Sequence, residues 1–262
     1  MRRLQRSLLV ASLAFLAVGC VSQRTVDGKD QPAQQFNAQE AADTRLALGL
    51  QYLQSGNYQQ ARANLERARD YTPENPSVHT ALAYYYQQVK EYENAERYYR
   101  NAIRLQPDNG DTYNNLGALL CTMGRFAEAD QYFRQALAIP DYVKVASTYE
   151  NAARCAAKAG DIQKSDEYFQ RALNHSGRNS TILESYATVL LEQGRFEQLA
   201  QVLARRADLP QLSAQYLWLE IELAKHQNNK VRQLSFIELL LSRFPESRQA
   251  RDYQARTSEP NS

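Results

Sequence analysis

The chain reads as an all-α solenoid, a right-handed superhelix of about six helix–turn–helix units. Three observations predict it. First, Leu48, Gly49, Tyr52, Ala61, Leu65, Ala68 and Pro73 recur 34 residues later as Leu82, Ala83, Tyr86, Ala95, Tyr99, Ala102 and Pro107. Second, a third copy follows in phase as Leu116, Gly117, Leu120, Ala129, Phe133 and Ala136, with Pro140 one place early. Third, Gly56, Gly124, Gly160 and Gly194 stand where the turn between two paired helices would fall. Each unit must stack on the next to bury its apolar face, so one continuous core is expected along the array.

The individual residues explain the period. Gly49 with Ala61, or Ala83 with Ala95, lets two short antiparallel helices approach closely, and Ala68 and Ala102 leave room for the next unit. Tyr52 and Tyr86 fill the joint, and Pro73 and Pro107 stop the second helix. A 34-residue period with small residues and a closing proline resembles the tetratricopeptide signature. The repeats run at about 42–75, 76–109, 110–145, 146–179, 180–213 and 214–247 within a domain at 41–250, and the sixth is the loosest. Lys144 and Val145 are extra residues, so a kink or longer turn is expected after Pro140. No β-sheet is expected between 40 and 247, and residues 251–262 read as a polar, frayed tail.

The N-terminus points to an envelope. Arg2, Arg3 and Arg6 precede the apolar run Leu8–Val18, which leads into Gly19 and Cys20. A charged region, a short apolar region and small residues form a cleavable signal, here 1–19, too short for a retained span. Leu16-Ala17-Val18-Gly19-Cys20 resembles the bacterial lipoprotein signal, which implies lipidation of Cys20; an ordinary secretory signal is the alternative. Val21 is not the aspartate that in many bacteria retains lipoproteins at the inner membrane, so the resemblance implies the outer membrane, facing the periplasm. Residues 20–40 then form a polar, flexible tether.

Cleavage removes three arginines and no acid, leaving 28 basic residues against 29 acidic ones. That balance excludes a concentrated nucleic-acid surface, and Arg205-Arg206 reads as a solvated helix face. Cys121 and Cys155 lie one period apart, late in the first helices of neighbouring units, so their sulfurs can meet as a disulfide; two buried free thiols are the alternative. No metal or other cofactor is expected: His79, His175 and His226 are scattered and no CxxC pair occurs. His79 reads as a packing residue, and Glu91, Glu93 and Glu96 as solvent-facing. With no phosphate-binding glycine loop or nucleophile elbow, the expectation is a non-enzymatic binding protein.

Binding is expected on the face that the first helices line. Leu46, Leu50 and Leu53 in the first unit, with Tyr84 in the second, form an apolar stretch suited to a partner strand or helix. Packing against the tether or a neighbouring helix is the alternative. Further along, Asn114, Asn115, Asn151 and Arg154 offer amide and guanidinium groups to a peptide backbone or carboxylate.

A signal ending at Cys20, a polar tether, about six repeats and a cysteine pair one period apart together resemble the type IV pilus biogenesis lipoproteins, the PilF/PilW pilotins. Leu48–Tyr58 and Tyr113–Cys121 carry the resemblance most clearly. It implies a lipid-anchored protein that binds outer-membrane secretin subunits, brings them to that membrane and promotes ring assembly, with no nucleic-acid or small-molecule substrate. Two other functions fit the same architecture. One is an outer-membrane adaptor for peptidoglycan enzymes or barrel assembly; the other is a regulator of a bound hydrolase or transferase.

Overall fold

A computed structural model describes residues 25–26, 29–30, 36–176 and 178–258. The signal and Cys20 lie outside the described residues. Thirteen helices account for nearly all of the remainder. They pair as α1 (Ala38–Gln54) with α2 (Tyr58–Tyr71), α3 (Pro76–Gln88) with α4 (Tyr92–Leu105), and α5 (Gly110–Thr122) with α6 (Phe126–Leu137). Next come α7 (Val145–Lys158) with α8 (Ile162–Ser176), α9 (Ser180–Glu192) with α10 (Phe196–Ala207), and α11 (Ala214–His226) with α12 (Lys230–Arg243). The sixth pair is therefore complete. Between 40 and 247 the described residues contain no strand; a two-residue antiparallel ladder, Thr25–Val26 on Lys29–Asp30, lies in the segment read as tether.

Local chemistry starts and stops these helices. Asn37, Asn75, Asn109 and Asn179 accept backbone N–H bonds from the first turns of α1, α3, α5 and α9, satisfying donors a helix otherwise leaves unpaired. The four expected turn glycines all take positive φ, between 69° and 79°. The same turn in the second and sixth pairs is made by Lys90 (φ 62°) and Asn228 (φ 53°). The core runs the length of the array, with Leu65, Leu82, Leu116, Leu120, Phe133, Phe169, Leu190 and Leu203 buried.

The third unit does end in a longer turn, and it is plugged. Asp141 turns the chain with φ 58°, and the Tyr142 ring lies against Gly110, where an added Cβ would come within 2.5 Å of it. The Tyr142 hydroxyl sits 3.2 Å from Asp111 Oδ1 and 3.0 Å from Thr148 Oγ1, and Lys144 Nζ donates to Asp111 at 2.5 Å.

At the other end of α5, Cys121 faces Cys155 of α7, with Cα atoms 5.7 Å apart, inside the range a disulfide spans. A bridge closing a loop of sequence separation 34 contributes about 4 kcal/mol by the chain-entropy relation. Its expected role is to tie the third repeat to the fourth across the Tyr142 turn. Intact mass after thiol alkylation of the unfolded, unreduced protein checks this: no label on Cys121 or Cys155 is expected, and two labels would refute the bridge.

Several polar residues sit elsewhere than their sequence context suggested. Arg206 is not on a solvated face: it is 1% exposed, its Nε donates to Glu184 at 2.6 Å, and its guanidinium lies 4.9 Å from the Tyr216 ring centre. Its Nη2 also donates to the Gln211 carbonyl. Glu96 is not simply solvent-facing either; it pairs with Arg125 at 2.6 Å and Arg100 at 2.7 Å. Burial pushes the Glu96 carboxyl up, but the two guanidiniums outweigh it and hold the group below its ordinary value. One period on, Asp130 accepts from the Tyr168 hydroxyl at 2.7 Å, and after that Asp166 pairs with Arg195 at 2.5 Å. These three acids stitch α4, α6 and α8 each to the next repeat. His79 packs in the core, its Nε2 2.7 Å from the Pro73 carbonyl.

The polar tail requires a correction. Residues 248–258 form a further helix, α13 (Arg248–Ser258), and Ala250 is fully buried. Arg256 reaches Glu222 at 3.3 Å and lies over the Trp218 ring. A helix with a polar outer face closes the open end of the solenoid, where another repeat would otherwise be needed.

Candidate partner-binding groove

First helices of adjacent repeats pack against one another along most of the array (α1 on α3, α5 on α7, α7 on α9, α9 on α11), and no pair of second helices packs as closely. That asymmetry bends the array towards its first-helix side. Residues projecting from α1, α3, α5, α7, α9 and α11 therefore line one long groove.

At the N-terminal end, the structure divides the four predicted apolar residues. Leu50 and Tyr84 stand open, at 38% and 44% exposure. Leu53 does not: it is 7% exposed and belongs to the core. Leu46 is half-buried and packs against that core. The packing alternative thus holds for Leu53 and largely for Leu46, which belong to or lean on the core. What remains for a partner is a two-residue apolar patch, Leu50 with Tyr84.

The middle of the groove is neutral and hydrogen-bonded. Asn151 Nδ2 donates to Asn114 Oδ1 at 3.0 Å, and Asn114 Nδ2 to Asn115 Oδ1 at 3.5 Å. Part of the amide capacity expected to meet a partner is therefore used within this chain of three asparagines. Arg154 is exposed and lines a separate valley between α7 and α9, of about 610 Å³. Asn115 is not among the residues that line this valley. Among the described residues no group of three or more His, Cys, Asp or Glu is placed to hold a metal ion, and no helix is long and apolar enough to cross a membrane.

Comparison with known proteins agrees with this architecture. Two tetratricopeptide repeat family models match the chain, one at residues 75–141 and 110–178, the other at 52–97. The type IV pilus assembly protein PilF of Pseudomonas aeruginosa is 36% identical over 77 residues, which span 29% of this chain and 29% of PilF. The aligned sequence thus covers under a third of that relative. A solved structure of Pseudomonas aeruginosa PilF superposes with TM-score 0.64 at 27% identity, covering 84% of this chain and 99% of the other. The crystal structure of PilW, described as a widely conserved type IV pilus biogenesis factor, gives TM-score 0.68 at 26% identity, covering 81% and 98%. A tetratricopeptide repeat protein from Parabacteroides merdae, at 16% identity and TM-score 0.64, shares the fold.

The period, the helix pairing and these matches define the class: this is a tetratricopeptide-repeat protein with a superhelical fold. Within that class it is homologous, by sequence and by structure, to the PilF and PilW type IV pilus biogenesis proteins.

Proposed function

We propose that the chain is a non-enzymatic type IV pilus biogenesis lipoprotein, a pilotin that binds secretin subunits and promotes their localisation and assembly at the outer membrane. The observation that carries this reading is the likeness to PilF and PilW, which extends over more than four-fifths of the chain and nearly all of each relative's structure. The N-terminal sequence supplies the anchor: Cys20, lipidated on its thiol and then left as the first residue by cleavage after Gly19, holds the protein on the periplasmic side of the outer membrane. Acyl chains contribute about 0.8 kcal/mol per buried methylene, so several chains anchor firmly. Leu50 and Tyr84 sit on the two repeats nearest that anchor and supply the apolar contact for a secretin segment.

Deletion of the gene tests this function. Secretin multimers and twitching motility are expected to disappear, and the wild-type chain supplied in trans to restore both. Normal secretin rings in the deletion strain, together with a general envelope defect, would overturn the assignment in favour of an envelope adaptor.

A further inference from the structure

The two ends of the second-helix layer are finished differently. The second helices α4, α6 and α8 reach back to the preceding repeat with their seventh residue. The Tyr98 hydroxyl accepts from Arg69 at 3.1 Å, the Tyr132 hydroxyl accepts from Arg100 at 2.6 Å, and the Tyr168 hydroxyl donates to Asp130 at 2.7 Å. In α2, the first of the layer, that position is Asn64, and its amide is used inside the first repeat. Arg45 Nη1 donates to Asn64 Oδ1 at 3.0 Å, and Asn64 Nδ2 donates to the Gln60 carbonyl at 2.8 Å. The first repeat is therefore closed by its own hydrogen bonds.

The last second helix, α12, is left open. Forward contacts come from the fifth residue of a second helix: Glu96 in α4, Asp130 in α6 and Asp166 in α8 each bond to the repeat that follows. The same position in α12 is Leu234, 64% exposed, with Val231 one turn before it at 82%. The closing helix α13 leaves both side chains uncovered. An acid at this position bridges to a neighbour, whereas a leucine gains only if another apolar surface lies on it. Lys230 and Glu238 stand one turn to either side of Leu234 on the same stripe, and both are exposed. Neither has an opposite charge within 4.0 Å among the described residues. They lie about 12 Å apart along the axis, too far to pair within one helix.

We infer that this stripe is a self-association surface, on which α12 of a second copy of this chain packs antiparallel across a two-fold axis at Leu234. Both charged residues lie four positions from that centre, so such a pair sets position 230 of each copy opposite position 238 of the other. Lys230 then faces Glu238 of the second copy, the same contact forms again by symmetry, and Val231 flanks the paired leucines. Lys230, Leu234 and Glu238 thus make a stripe complementary to itself, which is what an isologous contact requires. A parallel pair would instead set Lys230 on Lys230 and Glu238 on Glu238. Head-to-tail stacking would set the apolar crest against the polar Asn64 and Arg45 end. One helix pair buries less than the ~800 Å² per partner of a standard interface, so the dimer is weak and reversible. This surface goes beyond the secretin-assembly function and does not depend on it.

Sedimentation equilibrium of the mature chain in density-matched detergent tests this. The parent is expected to show a reversible monomer–dimer equilibrium with Kd below about 1 mM and no higher species. Leu234→Glu should weaken the dimer at least tenfold. Lys230→Glu alone and Glu238→Lys alone should do the same, because each sets like charges face to face. An equimolar mixture of those two single variants should recover the parental affinity, and so should both exchanges made in one chain. All three positions are exposed, so helical content and Tm should match the parent. Leu50→Ser with Tyr84→Ser should dimerise as the parent does, which separates this face from the secretin contact. A parent that stays monomeric at about 1 mM would overturn the proposal and leave the face to a helix of a different protein. So would parental dimerisation of Leu234→Glu or of the single charge variants, or a mixture that fails to recover. Growth of the parent beyond dimers would also overturn it, because head-to-tail stacking gives open chains.

Discussion

Cys20→Ala is expected to leave the precursor uncleaved by the lipoprotein signal peptidase and to remove the protein from the outer-membrane fraction. Lipidation needs the Cys20 thiol as the nucleophile that bonds the lipid through sulfur, and the methyl group of alanine offers none. The remaining apolar run Leu8–Val18 is too short for a stable span of a hydrocarbon layer that needs about 20 apolar residues. The effect is close to all-or-none, because several acyl chains at about 0.8 kcal/mol per methylene separate anchored protein from free protein. Membrane fractionation with an antibody to the chain reads the outcome. Unchanged outer-membrane recovery of the variant would refute the anchor, and with it delivery of a partner by the lipid.

The array itself was legible in the sequence because its cause is periodic. Stacking one unit on another demands the same small or bulky residue every 34 positions, so Gly49, Ala61 and Leu65 announce the packing they take part in. Turns made by glycine were equally plain. Those made by Lys90 and Asn228 were not, since neither residue type marks a left-handed turn unless the helices on both sides are already placed. The cap α13 was hidden by its composition, because a closing helix must be polar outside and needs little more than the buried Ala250 within.

The groove was harder to read than the scaffold for a related reason. Which first-helix residues stay open depends on how closely the neighbouring first helix lies, and the repeat pattern does not encode that distance. Leu50 and Leu53 occupy equivalent-looking groove positions, yet Leu53 is buried in the core while Leu50 stays 38% exposed. Arg205 and Arg206 present the same problem in charged form. Their side chains point 100° apart on α10, and only Arg206 meets Glu184 and Tyr216 in the interior.

The apolar patch that survives this sorting carries the central claim. Fully burying a leucine or an aromatic side chain contributes about 1.5–3 kcal/mol, and Leu50 and Tyr84 retain roughly two-fifths of their surface to bury. Together they should therefore supply about 1–3 kcal/mol of partner binding, a tenfold to hundredfold change in affinity. Serine at both positions removes this contact while leaving the core residues Leu53, Leu65 and Leu82 untouched, so helical content and Tm should stay near the parent values. Replacing Leu53 would not be a clean test, because it would cut into the core. The most direct measurement is the affinity of the lipidated chain for solubilised secretin subunits, parent against Leu50→Ser with Tyr84→Ser. Saturable binding by the parent, weakened tenfold or more in a folded variant, is the predicted result; no binding by the parent, or equal binding by both, would contradict it.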